Sequence, residues 1–296
     1  MLDQSYFAYN SKEPITYTTL SERITDGVAI QDISYASPHG GKVSAYLIFP
    51  LQQAPMAGLI FGHWGEGNRD EFVDEAIILA RLGFVSLCLD APYRRPAEYE
   101  PKLEEPPQAE LQWIVDVRRG VDLLQEQFLL TPEKLGYIGH SYSATFGGPI
   151  AAAEHRVKAY VLMAGWYALS EIMRTTTNSA IVQERTTVSK EEFDAYLTAM
   201  APLDAFHYIG HAAPSHLFFQ FAQADSFVSV EEGQRYFELA SEPKQIGWYD
   251  NCDHELNVQA RLDRVIWLCK TLQLAQPSQE ILDMLSKVPS PVALKE

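Results

Sequence analysis

One short segment restricts the possible folds of this chain more than any other. A run of strand-forming residues, Leu135–Ile138, leads directly into GHSYS at positions 139–143. A serine held on a sharp turn between a strand and a helix needs small neighbours two positions before and after it, because larger side chains would collide across the turn. Gly139 and Ser143 meet this need, although glycine is usual at the second position. The segment therefore predicts a nucleophile elbow with Ser141 at its tip, the alternative being a buried turn without chemistry.

Two later segments carry the residues that a nucleophilic serine needs. The apolar run His216–Ala224 is typical of a buried parallel strand, and it ends at Asp225. Another strand is predicted at Lys244–Tyr249, and the loop after it contains His254. A serine hydroxyl is a weak nucleophile at neutral pH, so an imidazole must take its proton and a carboxylate must orient the imidazole. The order serine, aspartate, histidine predicts a catalytic triad of Ser141, Asp225 and His254.

Two other residues near His254 are competing candidates. Asp253 precedes the histidine directly, but a neighbour on a tight loop is poorly placed to reach the ring nitrogen that faces away from the nucleophile. A carboxylate on the adjacent loop can reach that nitrogen, so we expect Asp225 to orient the base. Cys252 could act as a nucleophile or redox switch, but we interpret it as a small buried hydrophobic residue.

Together with FGHWG at positions 61–65, these signals resemble the α/β-hydrolase fold, specifically its dienelactone-hydrolase-like branch and related esterases or peptidases. The resemblance extends from about residue 28 to residue 272. It implies a central, mostly parallel sheet flanked by helices, with Ser141, Asp225 and His254 as the triad. It also implies an ester or related acyl compound as the substrate.

An oxyanion hole made of two backbone amides is part of this chemistry. One amide belongs to the residue after the nucleophile, which is Tyr142. The other belongs to the loop after an early strand, where family members commonly have glycine directly after the histidine and this chain has Trp64. The second donor is therefore Trp64 or Gly65. Alternatively, the glycines here only turn the chain between the strand at 58–61 and a helix at 70–82.

Two segments are expected to surround the substrate. Residues 166–213 are too long for a simple connector and contain helical patterns, so we predict a small helical cap insertion. In the resembling family, insertions at this place lean over the nucleophile. The loop 93–108, rich in proline and charge, is either a solvated excursion or part of the rim of the site. The candidate substrate-binding residues in these segments are Trp166, Tyr167, Arg174 and Arg94.

The rest of the chain is predicted to form one domain over residues 1–296, since α/β folds of this size commonly do. Val28–Ser37 and Val43–Phe49 predict an antiparallel hairpin at the edge of the sheet. Residues 1–25 remain unassigned, and 275–296 are read as a C-terminal tail. Pro149 should kink or shorten the helix that follows the elbow.

Composition excludes several partners. The 39 acidic residues exceed the 23 lysines and arginines, and the resulting net charge of −16 repels nucleic acid and anionic membranes. The three cysteines imply no disulfide framework, and the sequence has neither a basic leader with an apolar core nor an apolar run near ~20 residues. We therefore expect a cytoplasmic protein with no nucleic-acid or membrane partner; the oligomeric state stays open.

A metal or cofactor is not expected either. His207 and His211 have the spacing of zinc ligands on one helix face, but Gly210 and Pro214 interrupt helix continuity and no glutamate completes an H-E-x-x-H pattern. We interpret both histidines as loop residues beside the cap.

The sequence therefore favours a serine hydrolase that cleaves a carboxylic ester through an acyl-enzyme. A peptidase of the same fold is the main alternative, disfavoured because no propeller-like repeat domain accompanies the catalytic unit. A non-catalytic ligand-binding protein is disfavoured by the intact candidate triad. An aspartate nucleophile, as in dehalogenases, is disfavoured because Ser141 occupies the elbow.

Overall fold

Alternating strands and helices build a single nine-stranded sheet in the computed structural model, which describes residues 4–95 and 107–289. The strands are β1 (Tyr17–Thr25), β2 (Val28–Ala36), β3 (Lys42–Pro50), β4 (Ala57–Gly62), β5 (Phe84–Leu89), β6 (Leu135–His140), β7 (Ala159–Met163), β8 (His216–Ala222) and β9 (Lys244–Tyr249). Their order across the sheet is β1-β2-β3-β5-β4-β6-β7-β8-β9. From β5 to β9 every neighbouring pair is parallel, so the predicted mostly parallel sheet is confirmed.

The first three strands form an antiparallel extension of this sheet. The predicted hairpin is confirmed as β2 and β3, and β3 continues antiparallel onto β5. Its predicted place at the edge is wrong, because β1 pairs with the outer side of β2 and covers it. Most side chains of β1 are exposed, which explains why no hydrophobic alternation marked this strand in the sequence.

Helices cover both faces of the sheet. They are α1 (Val73–Ala80), α2 (Gln108–Phe128), α3 (Tyr142–Thr145), α4 (Gly147–Ala153), α5 (Leu169–Thr175), α6 (Ser179–Glu184), α7 (Lys190–Met200), α8 (Val230–Leu239), α9 (Val258–Thr271) and α10 (Gln279–Leu285). One apolar core joins the sheet to α2, α4 and α8, and a second joins the opposite face to α1, α9 and α10. Adjacent strand residues alternate between the two cores: Tyr137 of β6 packs in the first and Ile138 in the second.

The long connection between β7 and β8 is helical. It contains α5, α6 and α7, which share a small core of their own made of Met173, Ile181, Phe193 and Leu197. A capping box begins α7: the Ser189 hydroxyl accepts from the Glu192 N–H, and the Glu192 side chain accepts from the Ser189 N–H. Whether this segment acts as a cap over the site remains a prediction.

The sheet topology determines where the chemistry-bearing residues meet. Ser141 follows β6, Asp225 lies beyond the end of β8, and His254 lies in the loop after β9. Because these parallel strands point the same way, their carboxyl ends share one edge of the sheet, and ligands of open α/β sheets bind at that edge. After Ser141 the helix is divided into α3 and α4 around Phe146, and Pro149 lies in the first turn of α4, as expected for a shortened helix.

Candidate active site

Ser141 occupies a strained turn. Its backbone has φ 52° and ψ −106°, the positive-φ region that non-glycine residues rarely adopt. Its N–H donates to the carbonyl of Met163 on β7 at 2.8 Å, and α3 begins at the next residue. A Cβ at Gly139 would approach the carbonyl oxygen of Ser143 to 2.6 Å, so glycine is required there. Strain of this kind persists only where surrounding contacts impose it.

The serine that replaces the usual glycine at position 143 is accommodated by Gly62. A Cβ on Gly62 would lie 2.6 Å from the Cβ of Ser143, so the missing side chain at the end of β4 makes room for the additional side chain. The Ser143 hydroxyl then donates to the carbonyl of His63 at 2.6 Å. This departure from the usual pattern ties the elbow to the loop after β4.

The three residues predicted as a triad are in hydrogen-bond contact. Ser141 Oγ lies 2.7 Å from His254 Nε2. On the other side of the ring, His254 Nδ1 lies 2.9 Å from Asp225 Oδ1 and 3.1 Å from Oδ2. The Asp225 side chain is fully buried, and its Oδ1 also accepts from the N–H groups of Phe227 and Val228. These contacts fix an acceptor carboxylate against the imidazole.

Asp253 has a different task. Its Oδ1 accepts from the backbone N–H of Ser226 at 2.6 Å and from that of His254 at 2.7 Å. Burial alone would raise the pKa of Asp253, but these backbone hydrogen bonds outweigh it and the pKa lies below its ordinary value. The carboxylate joins the two loops that carry Asp225 and His254 and makes no contact with the imidazole nitrogens.

The geometry separates the two alternatives for the second oxyanion donor. The Trp64 N–H already donates to Glu71 Oε2 at 2.8 Å, which argues against Trp64. Within the described residues, no acceptor contacts the N–H of Gly65 or that of Tyr142, the first residue of α3. A Cβ on Gly65 would meet nothing within 4 Å, so this part of the loop faces open space. Gly65 and Tyr142 are therefore the amides available to a ligand.

His63 holds the loop in this conformation. Its Nδ1–H donates to the Trp64 carbonyl at 2.6 Å, and its Nε2 accepts from the Ala91 N–H at 3.0 Å. One donor and one acceptor require the neutral ring, and burial correspondingly lowers the pKa of His63. The carbonyl of Trp64 is thus held by His63, and its N–H is held by Glu71.

A second network was not predicted from the sequence. His140, directly before the nucleophile and fully buried, contacts Glu71 Oε1 through Nδ1 at 2.6 Å and the carbonyl of His254 through Nε2 at 2.9 Å. Burial alone would lower the pKa of His140, but the Glu71 carboxylate and the His254 carbonyl outweigh it and raise the pKa. The histidine inside the elbow motif was visible in the sequence as a possible member of such a network. Its partners could not be identified, because they lie 69 and 114 residues away in the chain.

Two of the predicted substrate-binding residues lie close to this site. The Trp166 indole N–H donates to the Phe227 carbonyl at 3.1 Å, and the Phe227 ring lies 4.7 Å from the His254 ring. Arg94 donates to the carbonyl of Gly65 at 3.3 Å and is exposed. Trp166 therefore borders the base through Phe227, and Arg94 borders the oxyanion loop at Gly65.

The other two are engaged elsewhere. Arg174 pairs with Asp194 at 3.3 Å on the exposed surface between α5 and α7. The Tyr167 phenol faces acidic residues of α5 and α8, and burial followed by Glu171 raises its pKa. Neither residue has a described contact with Ser141 or His254, so the structure does not support their prediction as substrate contacts.

Two phenols beside the nucleophile lack a hydrogen-bond partner among residues 4–95 and 107–289. They are the buried hydroxyls of Tyr93 and Tyr142, whose rings meet edge to face at 5.2 Å. Nearby, burial raises the pKa of Glu110 to about 7. The prediction for the loop 93–108 falls mainly on residues 96–106, which lie outside the described residues.

The remaining candidates are not part of this constellation. The Cys252 thiol contacts the Tyr249 carbonyl at 3.6 Å, and burial raises its pKa, which disfavours a thiolate. His207 and His211 end two separate 3₁₀ turns. Over residues 4–95 and 107–289, no three histidine, cysteine, aspartate or glutamate side chains are grouped so as to bind a metal ion. In the same residues, every helix is too short or too polar to span a membrane.

Comparison with known proteins identifies the fold. No protein-family model matches the sequence, and the search of curated proteins found no match. Among solved structures, an acetyl xylan esterase from Paenibacillus sp. R4 is 13% identical with a TM-score of 0.72, covering 90% of this chain and 90% of that chain. Acetyl xylan esterase 1 from Thermoanaerobacterium sp. JW/SL YS485 is also 13% identical with a TM-score of 0.72, covering 91% and 92%. The alpha/beta hydrolase GrgF from Penicillium sp. sh18 is 16% identical with a TM-score of 0.65, covering 82% and 99%. The predicted α/β-hydrolase fold is confirmed.

Proposed function

We propose that this protein is a serine hydrolase that cleaves a small-molecule carboxylic ester, with Ser141 as nucleophile, His254 as general base and Asp225 as the carboxylate that orients the base. One observation carries the proposal: the serine on the strained turn lies 2.7 Å from one imidazole nitrogen while a buried carboxylate lies 2.9 Å from the other. A serine, a base and an orienting acid in series are the recognised signature of an activated nucleophile.

The reaction follows from these contacts. Ser141 Oγ attacks the ester carbonyl carbon and its proton passes to His254 Nε2, while Nδ1–H remains hydrogen-bonded to Asp225. The carbonyl oxygen becomes an oxyanion that accepts from the N–H groups of Tyr142 and Gly65. The carbonyl re-forms, the bond to the alcohol oxygen breaks, and His254 gives its proton to the departing alkoxide. Water, activated by the same imidazole, then hydrolyses the acyl-enzyme.

The surroundings support an apolar acyl group. Phe227 packs on the base and Trp166 is hydrogen-bonded to its backbone, so aromatic surface borders the triad. Two structural neighbours are named acetyl xylan esterases, which makes acetyl esters the first substrates to test.

We further propose that the helical segment 166–213 forms a cap on this side of the site. The three cysteines are free thiols, which supports the cytoplasm as the compartment.

The test is labelling by a fluorophosphonate, followed by turnover of p-nitrophenyl esters of increasing acyl length. Wild type should be labelled once per chain and hydrolyse the acetyl ester. Ser141→Ala should lose labelling and turnover while keeping its melting temperature, since a small side chain fits the turn. Ser21→Ala, at an exposed serine on β1, is the control and should retain both.

Three outcomes would overturn the proposal. Full labelling of folded Ser141→Ala would reject this nucleophile. Absence of labelling in wild type would favour a non-catalytic ligand-binding protein. Faster turnover of the matching amide than of the ester would favour a peptidase.

A further inference from the structure

The imidazole of His140 faces two hydrogen-bond acceptors. Nδ1 lies 2.6 Å from a carboxylate oxygen of Glu71, and Nε2 lies 2.9 Å from the backbone carbonyl of His254. A neutral imidazole has one N–H and one lone pair, so it can satisfy only one acceptor. Both side chains are almost completely shielded from water, so solvent cannot supply the missing hydrogen. Satisfying both contacts requires a proton on each ring nitrogen.

We propose that His140 is a buried imidazolium paired with Glu71, and that this ion pair positions the three loops of the catalytic site, so that removing its proton at alkaline pH slows acylation. The proposal rests on the proposed function for its kinetic consequence but not for the protonation state. The proton resides on the ring because a carboxyl group is intrinsically the stronger acid, by about two pKa units for the model groups. The other carboxylate oxygen accepts from the Trp64 N–H, so both oxygens of Glu71 serve as acceptors.

The pair connects the elbow, the loop of the base and the oxyanion loop. His140 precedes Ser141 in the elbow, its Nε2–H holds the backbone of His254, and Glu71 holds the N–H of Trp64 next to Gly65. Loss of the proton leaves a ring lone pair directed at an oxygen, at 2.6 Å on one side or 2.9 Å on the other. That contact becomes repulsive, and either the oxyanion loop or the loop of the base must move. A displacement near 1 Å at such a site can cost about 10²-fold in rate.

The charges around the pair are consistent with a cation at His140. Asp225 contributes a negative charge that favours it, and the neighbouring His254 ring lies 5.3 Å away. On the Glu71 side, His63 is held neutral by its own hydrogen bonds. Among the described residues, the other titratable or charged groups near Glu71 and its neighbours include Asp70, Glu75, Cys88, Asp90, Tyr93 and Arg94.

The sign of the pH effect follows from the raised pKa of His140. The imidazolium, and with it the assembled site, is present below that pKa and is lost as pH rises through it. Catalysis also needs the unprotonated ring of His254, which is favoured as pH rises. The two requirements give a bell-shaped profile whose alkaline limb belongs to His140.

Glu71→Gln tests this assignment because an amide can replace the ion pair. Its oxygen can accept from Trp64, and its NH₂ can donate to Nδ1 of a neutral His140, which keeps Nε2–H for the His254 carbonyl. The same three hydrogen bonds then form without the extra proton. Glu71→Ala removes two of them, and Asp74→Asn, an exposed acid three residues later on α1, serves as the charge-matched control.

The measurement is the second-order rate constant of fluorophosphonate labelling from pH ~6 to ~10. For wild type and Asp74→Asn, this rate constant should fall about tenfold per pH unit on the alkaline side, as expected for the loss of one proton. Glu71→Gln should lack this limb and label at least about tenfold faster than Glu71→Ala near neutral pH. An unchanged alkaline limb in folded Glu71→Gln would overturn the kinetic part of the proposal.

The protonation state is measured without activity. Nitrogen-15 NMR of Ser141→Ala, with His140 assigned by its loss in His140→Gln, should reveal a proton on both ring nitrogens near pH ~7. A single ring N–H on His140 would overturn the imidazolium. If wild type is not labelled at all, the proposed function fails while the NMR result still decides the ion pair.

Discussion

Replacing Asp225 with asparagine separates the two acids near His254. Oδ1 of Asp225 accepts from two backbone N–H groups, those of Phe227 and Val228, at 2.8 and 3.0 Å. Because those donors need an acceptor, the amide oxygen of asparagine must take the Oδ1 position. Its NH₂ then takes the Oδ2 position, 3.1 Å from His254 Nδ1. The amide oxygen at the Oδ1 position still lies 2.9 Å from Nδ1 and can accept its proton. The substitution nevertheless places an N–H donor against the same ring nitrogen, which weakens the preference for the productive tautomer, and it removes the negative charge that stabilises the imidazolium formed during attack.

The expected loss is large because the neutral amide no longer stabilises the imidazolium and adds a donor that competes at Nδ1, while the fold remains. We expect kcat to fall by ~10³- to ~10⁴-fold, as for the same change in a well-studied serine triad. That range corresponds to about 4 to 5.5 kcal/mol of activation free energy.

Asp253→Asn is the matched comparison. The oxygen of asparagine can still accept from the N–H groups of Ser226 and His254, so we expect kcat within about threefold of wild type, under 1 kcal/mol. The assay is kcat for p-nitrophenyl acetate near pH ~7.5, about a unit above the ordinary imidazole value, with thermal unfolding of both variants as the control. A crippled Asp253→Asn beside a nearly wild-type Asp225→Asn would refute the assignment of the orienting acid.

Three further changes test the packing and ionisation around the site. Cys252→Ser should leave kcat within about tenfold, or ~1.4 kcal/mol, since burial keeps the thiol protonated; inactivation of a folded variant would point to a thiol mechanism. Gly62→Ala should destabilise the protein by about 1–3 kcal/mol through overpacking against Ser143. In a double-mutant cycle measured by urea titration, adding Ser143→Gly should restore part of the lost free energy of unfolding. Simple additivity of the two changes would contradict the contact. Burial raises the pKa of Glu110 to about 7, so the unfolded chain releases this proton at a lower pH than the folded protein does. The free energy of unfolding should therefore fall by up to about 3 kcal/mol as pH rises from ~4.5 to ~7. Glu110→Gln should flatten that slope in urea titrations at the two pH values, and an unchanged slope would reject the assignment.

The sequence was most informative where strand ends carry reactive side chains. β6 and β8 are largely apolar runs, and β9 is a short strand-forming run followed by turn residues. Their ends, and hence the neighbourhood of Ser141, Asp225 and His254, could therefore be located from local pattern. The choice of Asp225 over Asp253 also followed from strand geometry, and the observed contacts agree with it.

What could not be predicted depends on contacts between distant segments. Trp64 and Gly65 remained alternatives because the acceptor that occupies the Trp64 amide, Glu71, is a side chain whose direction no periodicity reveals. The partners of His140, which are Glu71 and the carbonyl of His254, were unpredictable for the same reason. β1 was missed for a different reason: its side chains are mostly exposed, and its place is set by backbone pairing with β2, which leaves no hydrophobic signal in the sequence.

The order of strands across the sheet also governs when the site can exist during synthesis. Ser141 emerges from the ribosome 84 residues before Asp225 and 113 residues before His254, whose loop is placed by the pairing of β9 with β8 at the far edge of the sheet. A nascent chain folding from its amino end could complete the elbow and the first six strands and still have no base beside its serine. Hydrolytic activity would therefore switch on only after the last strand docks, so its appearance during translation would report completion of the sheet.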